Sequence, residues 1–264
     1  MIITIGKNMG DRSRREALVL ADKWEEAVYR ERGKKSLKKW LKDAETPIYV
    51  VSETGDKLYH PDTMHPLFFH PSMAWIRVLR LAEGKSDPMI TAMQLKEGMT
   101  VLDTTLGFAS DSIVASYVVG KEGSITGIEK NPYIGAIIKK GLRVWKQDMD
   151  AFNEAMNRII VKTEDHLDYL KSIPNNTFDV VYFDPMFQKA VYSSSHLAAI
   201  RPFACYGSLG LRHIKEALRV AKQRVVIKSS YPNEYLESLG FTFIKRRSRT
   251  SFRYGVIEKK GREQ

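Results

Sequence analysis

Apolar residues change their spacing near Met99 of this 264-residue chain, and the change divides what the sequence predicts. Before it the pattern is mixed. Ile2–Ile5 reads as a short strand, and Arg14–Arg32 as a helix whose Ala17, Leu20, Ala21, Trp24 and Val28 share one face. Lys34–Lys42 predicts a short basic helix carrying Leu37, Trp40 and Leu41. Ile48–Val51 and Lys57–Tyr59 flank Gly55-Asp56, a hairpin turn. His60–Pro71 holds three prolines and reads as an ordered loop, after which Ser72 caps a helix through Leu81.

From Met99 onward, short apolar strands alternate with helices. The strands fall at Thr100–Asp103, Ser124–Glu129, Ile159–Lys162, Asp179–Asp184 and Arg224–Ser229. Helices fit at Asp111–Val119, Pro132–Arg143 and Leu209–Ala221. Such alternation is the mark of a parallel sheet, because parallel strands need crossover connections. The closing pair, Phe241–Lys245 and Arg253–Glu258, has no helix between its members and reads as an edge hairpin. The expected fold is α/β: a Rossmann-like seven-stranded sheet with helices on both faces, its last strand running against the others. A smaller α+β extension precedes it. The expected division is residues 1–84, a candidate substrate-binding extension, and residues 85–264, the sheet domain.

A hydrophobic share of 43% supplies enough apolar surface for a core. No apolar run is long enough to cross a bilayer and no secretory leader is visible, so a cytoplasmic protein is expected. The single cysteine, Cys205, excludes an internal disulfide and a cysteine-based zinc cluster. His60, His65 and His70 recur every five residues, a spacing that does not stack them on one helix face, and no metal is expected.

Charge changes the picture more. The net +11 favours a polyanionic partner, since lysine and arginine gain affinity by displacing counterions from phosphates. Residues 245–264 carry eight Lys/Arg against two glutamates. Arg246, Arg247, Arg249 and Arg253, on or beside the edge hairpin, are the expected RNA contacts.

Ligands of open parallel sheets bind beyond the carboxyl ends of the strands, where strand order reverses. Four such ends carry polar residues. The first strand ends in Asp103, and Gly107 lets the following loop turn tightly; a plain turn explains Gly107 equally well. Glu129 closes the second strand, where a carboxylate can accept both ribose hydroxyls of an adenosine-containing cofactor or cap the helix that follows. Asp165, after the third strand, can accept from an adenine amino group or serve an ordinary polar turn.

The fourth end, Val180-Val181-Tyr182-Phe183-Asp184-Pro185-Met186-Phe187, is the most specific. Asp184-Pro185 presents a carboxylate and a backbone carbonyl, both acceptors, and Phe187 offers an aromatic face for a base. Two acceptors suit an exocyclic amine, whose lone pair is delocalised into its ring. Holding both N–H groups aims that lone pair and offsets the positive charge that develops. A carbon acceptor would need a thiolate, and Cys205 has no paired base nearby in sequence. A ribose hydroxyl would need a general base, commonly a lysine, and Asp184-Pro185 offers acceptors in its place.

In this order, Asp103–Gly107, Glu129, Asp165 and Asp184–Phe187 resemble the class I S-adenosylmethionine-dependent methyltransferases. The Asp-Pro-Met-Phe variant is similar to the bacterial small-subunit ribosomal RNA guanine-N2 methyltransferases, over Phe69–Gln188. The resemblance implies S-adenosylmethionine as cofactor, contacted by Ser110, Asp111, Glu129, Lys130, Asp165, His166 and Asp184 together with the Asp103–Gly107 loop. It implies ribosomal RNA or the small subunit as partner, with Asp184, Pro185 and Phe187 at the reacting amine. The first loop has one glycine where many members have more, and Gln188 stands where the family has proline. Two other readings stay open: a methyltransferase for a small amine or protein side chain, and a methyltransferase-like RNA-binding protein without turnover.

Overall fold

A computed structural model describes residues 1–7, 9–33, 35–63, 65–185, 201–203, 209–229, 234–244 and 252–259. They form two compact units, one built on Met1–His70 with Ala136–Lys146, the other beginning at Pro71. The helix at 72–82 is tied through Arg77 to Asp87 and Asp111 within the second unit.

The first unit contains β1 (Ile2–Ile5), α1 (Asp11–Lys23), β2 (Val28–Tyr29), α2 (Leu37–Lys42), β3 (Ile48–Val51), β4 (Lys57–Tyr59) and β5 (Leu67–Phe68). Its sheet has the order β2-β1-β3-β4-β5. The expected helix Arg14–Arg32 is corrected here: α1 stops at Lys23 and Val28–Tyr29 becomes a strand. Val28 N–H bonds the Met1 carbonyl (3.0 Å) and Arg30 N–H that of Ile3 (2.9 Å), so this stretch satisfies the edge of β1 instead of continuing a helix. Val28 is accordingly exposed. α2 starts at Leu37, where Ser36 Oγ accepts Lys39 N–H at 3.2 Å. The expected loop 60–71 contains β5. The Ile48–Tyr59 hairpin forms as expected, fastened by buried Asp56, which accepts Ser52 N–H (3.0 Å), Tyr49 O–H (2.8 Å) and Lys140 Nζ (2.8 Å).

From Pro71 the chain runs α3 (Ser72–Ala82), α4 (Pro88–Met93), β6 (Thr100–Asp103), α5 (Ser110–Val119), β7 (Ser124–Glu129), α6 (Pro132–Val144, which belongs to the first unit from Ala136 on), α7 (Asp150–Arg158), β8 (Ile160–Thr163), α8 (His166–Ser172), β9 (Phe178–Phe183), α9 (Leu211–Val220), β10 (Ala221–Ser229), α10 (Glu234–Ser238), β11 (Thr242–Phe243) and β12 (Arg253–Glu258). Strand order is β11-β12-β10-β9-β6-β7-β8. β8, β7, β6, β9 and β10 are parallel, and β12 runs antiparallel to both β10 and β11. The expected seven-stranded α/β sheet is therefore present. Its order reverses between β6 and β9, which opens the crevice at the carboxyl ends of those strands. Leu102, Val181, Phe183, Val225 and Ile227 of the sheet are buried in one cluster with Ile214, Ala217 and Val220 of α9.

One glycine sets how the first strand-end loop sits on this sheet. Leu106 N–H bonds the Ile128 carbonyl at 2.9 Å, which draws the loop across β7 at Gly127. A Cβ on Gly127 would lie 2.4 Å from Leu106 Cδ1. Gly127→Ala is expected to cost about 1–3 kcal/mol in urea unfolding. Leu106→Ala should relieve the clash, so the double variant should be less destabilised than the sum of the two singles.

Candidate active site

The first loop is built from beneath. Asp103 closes β6 at 3% exposure. Its carboxylate accepts Thr105 N–H at 3.0 Å and Ser112 Oγ–H at 2.6 Å, clamping the loop to α5. Thr104 donates its N–H (2.9 Å) and its hydroxyl (2.8 Å) to the Tyr182 carbonyl, joining the loop to β9. The chain then turns through Gly107 at φ +49° and Ala109 at φ +59° into α5, which opens with the half-buried Ser110. Gly107 therefore occupies a left-handed conformation that glycine adopts at little cost. Burial pushes the Asp103 carboxyl up to about 7 against its two hydrogen bonds, with Asp111 and Asp184 adding to the rise.

Glu129 closes β7 beside that loop. Its Oε1 accepts Asn131 N–H at 2.8 Å. Burial pushes its carboxyl up to about 7, opposed by the backbone N–H groups of Asn131, Gly107 and Lys130. Helix α6 is capped by Asn131, whose Oδ1 accepts from Tyr133 (2.9 Å) and Ile134 (3.2 Å). Glu129 is thereby relieved of the capping duty that its position also suggested.

Asp165 does act as a cap. Its Oδ1 accepts Leu167 N–H at 2.8 Å at the start of α8, while its Oδ2 lies 3.0 Å from Lys130 Nζ. Burial works against ionisation there, but Lys130 and the cap hydrogen bonds outweigh it and hold the carboxyl below its usual range. His166 stands 5.0 Å from the His213 ring and 6.1 Å from Phe183, with a buried Nε2 that has no hydrogen-bond partner among the described residues. Burial, reinforced by His213, pushes its pKa down and keeps the ring neutral near pH 7.

At the end of β9, Asp184 N–H donates to Thr105 Oγ1 at 2.6 Å, so the first loop also holds the acceptor turn. The Asp184 carboxylate lies 2.7 Å from Lys228 Nζ, and Pro185 follows half-buried. Lys228 is also 3.1 Å from Asp111 Oδ2. Asp111, buried near the start of α5, further accepts from Arg77 Nη1 and from Tyr182 O–H at 2.8 Å. Arg77 itself grips Asp87 at 2.8 and 3.0 Å. Burial opposes the Asp111 charge, yet Lys228 and Arg77 overcome it and hold that carboxyl far below the usual range. Lys228 is raised above its ordinary value by Asp111 and Asp184 in spite of burial.

Thus Asp103, Gly107, Ser110, Asp111, Glu129, Asp184 and Pro185 come together around the β6–β9 crevice and the adjoining end of β7, with Lys130, Asp165 and His166 beside β8. Phe187, Arg246, Arg247 and Arg249 lie outside the described residues. Arg253 is half-buried at the start of β12, opposite Ser229. Sequence reading missed Lys228, Arg77 and Tyr182. Lys228 was detectable: it is the polar residue at the mouth end of Val225-Val226-Ile227, by the same rule that singled out Asp184. Arg77 carries no such signal, since one arginine on a helix looks like any solvated charge.

Comparison with known proteins decides the family. Residues 65–254 match the family model described as "Putative SAM-dependent methyltransferase". The chain belongs to this S-adenosylmethionine-dependent methyltransferase family. A Bacillus subtilis protein, "Uncharacterized protein YpiP", is 40% identical over 86% of this chain and 88% of its own length. The ribosomal RNA small subunit methyltransferase J of Nitrosococcus oceani is 28% identical over 72% of this chain and 76% of its own. A SAM-dependent methyltransferase structure from Neisseria gonorrhoeae superposes with TM-score 0.65 at 15% identity, covering 100% of this chain and 98% of that one, which shows a shared fold.

The methyltransferase takes S-adenosylmethionine as its cofactor, and its residues fit that molecule. The backbone turns tightly at Gly107, Glu129 offers a carboxylate freed from capping, and His166 carries a buried nitrogen without a partner among the described residues. The raised Asp103 carboxyl also affects stability. The folded state holds a proton that the unfolded state, with a carboxyl near ~3.9, has already released. Its contribution is present below about pH 4 and is lost as pH rises through about 7. Asp103→Asn should remove this dependence. Denaturant unfolding of the cofactor-free protein should therefore show the variant gaining on the wild type between pH 5 and pH 8; a constant difference would contradict the assignment.

Proposed function

We propose that this methyltransferase acts on an exocyclic amine of a base in RNA, with guanine N2 of small-subunit ribosomal RNA as the target. The observation that carries the reading is the Asp184-Pro185 turn, anchored by Thr105 at the mouth of β9 in the β6–β9 crevice. Asp184 offers its carboxylate and its backbone carbonyl as acceptors. Bound S-adenosylmethionine supplies a methyl carbon made electrophilic by a sulfonium. Glu129 accepts the ribose hydroxyls, Ser110 and the Gly107 turn approach the methionine end, and Asp165, Lys130 and His166 border the adenine. Asp103 acts on the loop from behind. Asp184 holds the N–H groups of the amine and takes up the proton released on methylation. Because N2 is engaged in a paired duplex, the base has to be unpaired or flipped to reach Asp184, with Phe187 as its stacking partner.

RNA as the partner is supported by the net +11 charge and by relatives named as ribosomal RNA small subunit methyltransferases. Arg246, Arg247, Arg249 and Arg253 meet its phosphates. The N-terminal extension adds exposed basic residues, Arg12 and Arg15 of α1 and Lys38, Lys39 and Lys42 of α2.

One observation favours a different acceptor. A lysine beside the acceptor carboxylate is what a ribose hydroxyl would require as base. Lys228, however, is paired with two carboxylates that keep it protonated, and a protonated lysine has no lone pair to accept a proton. The amine is therefore the preferred acceptor. Undermethylated ribosomal RNA should be incubated with enzyme and labelled cofactor, then digested to nucleosides for mass spectrometry. N2-methylguanosine is expected, and Asp184→Ala should abolish its formation at saturating cofactor. A 2′-O-methyl nucleoside, a methylated ring carbon or label confined to protein would overturn the proposal.

Glu129 gives a second expectation. Hydroxyls donate to its ionised form, while the free protein holds a carboxyl raised to about 7. Calorimetric affinity for the cofactor should therefore rise from pH 6 to pH 8. Glu129→Gln should weaken binding by ~1.5–3 kcal/mol at pH 8, the scale of a hydrogen bond to a charged group, and flatten the profile.

A further inference from the structure

The acceptor carboxylate and the carboxylate behind it are held very unequally. Asp111 receives hydrogen bonds from three side chains: Arg77, Tyr182 and Lys228. Among the described residues, Asp184 receives one, from Lys228 at 2.7 Å. The lysine is placed by the sheet itself. Ile227 pairs with Phe183 in the parallel register of β9 and β10, so Lys228 emerges beside Asp184, one residue further along each strand. From β12, Tyr254 pairs opposite Lys228, and the Phe252 ring lies 5.1 Å from Nζ. The ammonium is therefore fixed by Asp111 below and aromatic groups beside it, and it presents its charge to Asp184.

We propose that Lys228 is a positioning residue for methyl transfer: anchored by Asp111, it keeps the Asp184 carboxylate ionised and oriented toward the acceptor amine. This rests on the reading of Asp184 as the amine's acceptor. In the step, the amine nitrogen uses its lone pair to bond the methyl carbon as the carbon–sulfur bond breaks, and that electron pair stays on sulfur. One amine proton then passes to the Asp184 carboxylate and on to water. Lys228 loses no proton. Its part is to ensure that Asp184 meets the amine with both oxygens as acceptors, because a protonated carboxyl has one oxygen committed as a donor and cannot take up the amine proton.

The surroundings make such help necessary. Asp184 is faced by Lys228 of β10 and Arg77 of α3 as cations, and by Asp111 of α5 and Asp103 of β6 as acids. Tyr182 of its own strand is also near. Asp87 and Tyr254 reach it through Arg77 and Lys228. Burial, with the Asp111 charge, holds the Asp184 carboxyl above its ordinary value, and Lys228 is the strongest influence limiting that rise. Removing Lys228 should push the Asp184 carboxyl further up.

The experiment is the pH–rate profile of methyl transfer to undermethylated ribosomal RNA, at saturating cofactor, for wild type, Lys228→Arg, Lys228→Met and Asp184→Asn. Lys228→Met is expected to lose at least tenfold in kcat at pH 7, to move the acidic limb upward by about one pH unit or more, and to recover part of the loss by pH 9. Lys228→Arg, which keeps the charge, should retain the wild-type limb. Should Lys228→Met fail to fold, Lys228→Gln removes the charge while keeping a hydrogen-bond donor and gives the same readout. A Lys228→Met or Lys228→Gln profile with an unmoved limb, whether scaled down or at full rate, would overturn the inference. Full activity of Asp184→Asn would instead defeat the reading of Asp184 on which it rests. Loss of activity in that variant beside an unmoved Lys228→Met limb would defeat the role of Lys228 alone.

Discussion

A buried carboxylate must be compensated where it stands, and Asp111 is compensated from three directions. Arg77 reaches it from α3, Tyr182 from the central strand β9, and Lys228 from β10. Removing one partner from such a cluster leaves an unpaired buried charge, which costs several kcal/mol, of the order of ~3–5. Four elements, α3, α5, β9 and β10, are therefore locked together at the β6–β9 crevice. Asp87 extends the lock by holding Arg77 and capping α4 with the same carboxylate, through Met89 and Ile90 N–H. Through Lys228 the same cluster also reaches the Asp184 carboxylate.

The loop after β6 is organised by backbone geometry. Gly127 has no side chain where Leu106 crosses, Gly107 turns through positive φ, and Asp103 clamps the loop from below. Thr105 then links this loop to the acceptor turn by accepting Asp184 N–H. The loop after β6 and the Asp184-Pro185 turn are thus joined by hydrogen bonding. Preorganisation of this kind suits methyl transfer, where the gain lies in aligning two reactants and not in activating a strong base.

The electrostatics also separate two kinds of chemistry that the same folded sheet can host. Lysine beside an acceptor carboxylate can be a base when its proton is loosely held. Here two carboxylates hold it. Family membership establishes methyl transfer from S-adenosylmethionine; the state of Lys228 bears on what receives the methyl group.

The alternation of apolar strands and helices after Met99 determined the sheet by itself, because period and crossover length leave few topologies open. It also determined which strand ends carry Asp103, Glu129 and Asp184, since a polar residue closing an apolar strand can lie only at the sheet's mouth. The first seventy residues were less legible. A spacing of three and four residues placed Val28 on a helix, whereas the unpaired edge of β1 drew it into a strand. That competition is between distant backbone groups and leaves no local trace. Arg77, 34 residues from Asp111, and Lys228, 44 residues beyond Asp184, meet them only because helix placement and strand register bring them there. Sequence spacing fixes which groups a strand or helix presents, but only the packed sheet decides which charges must neutralise one another.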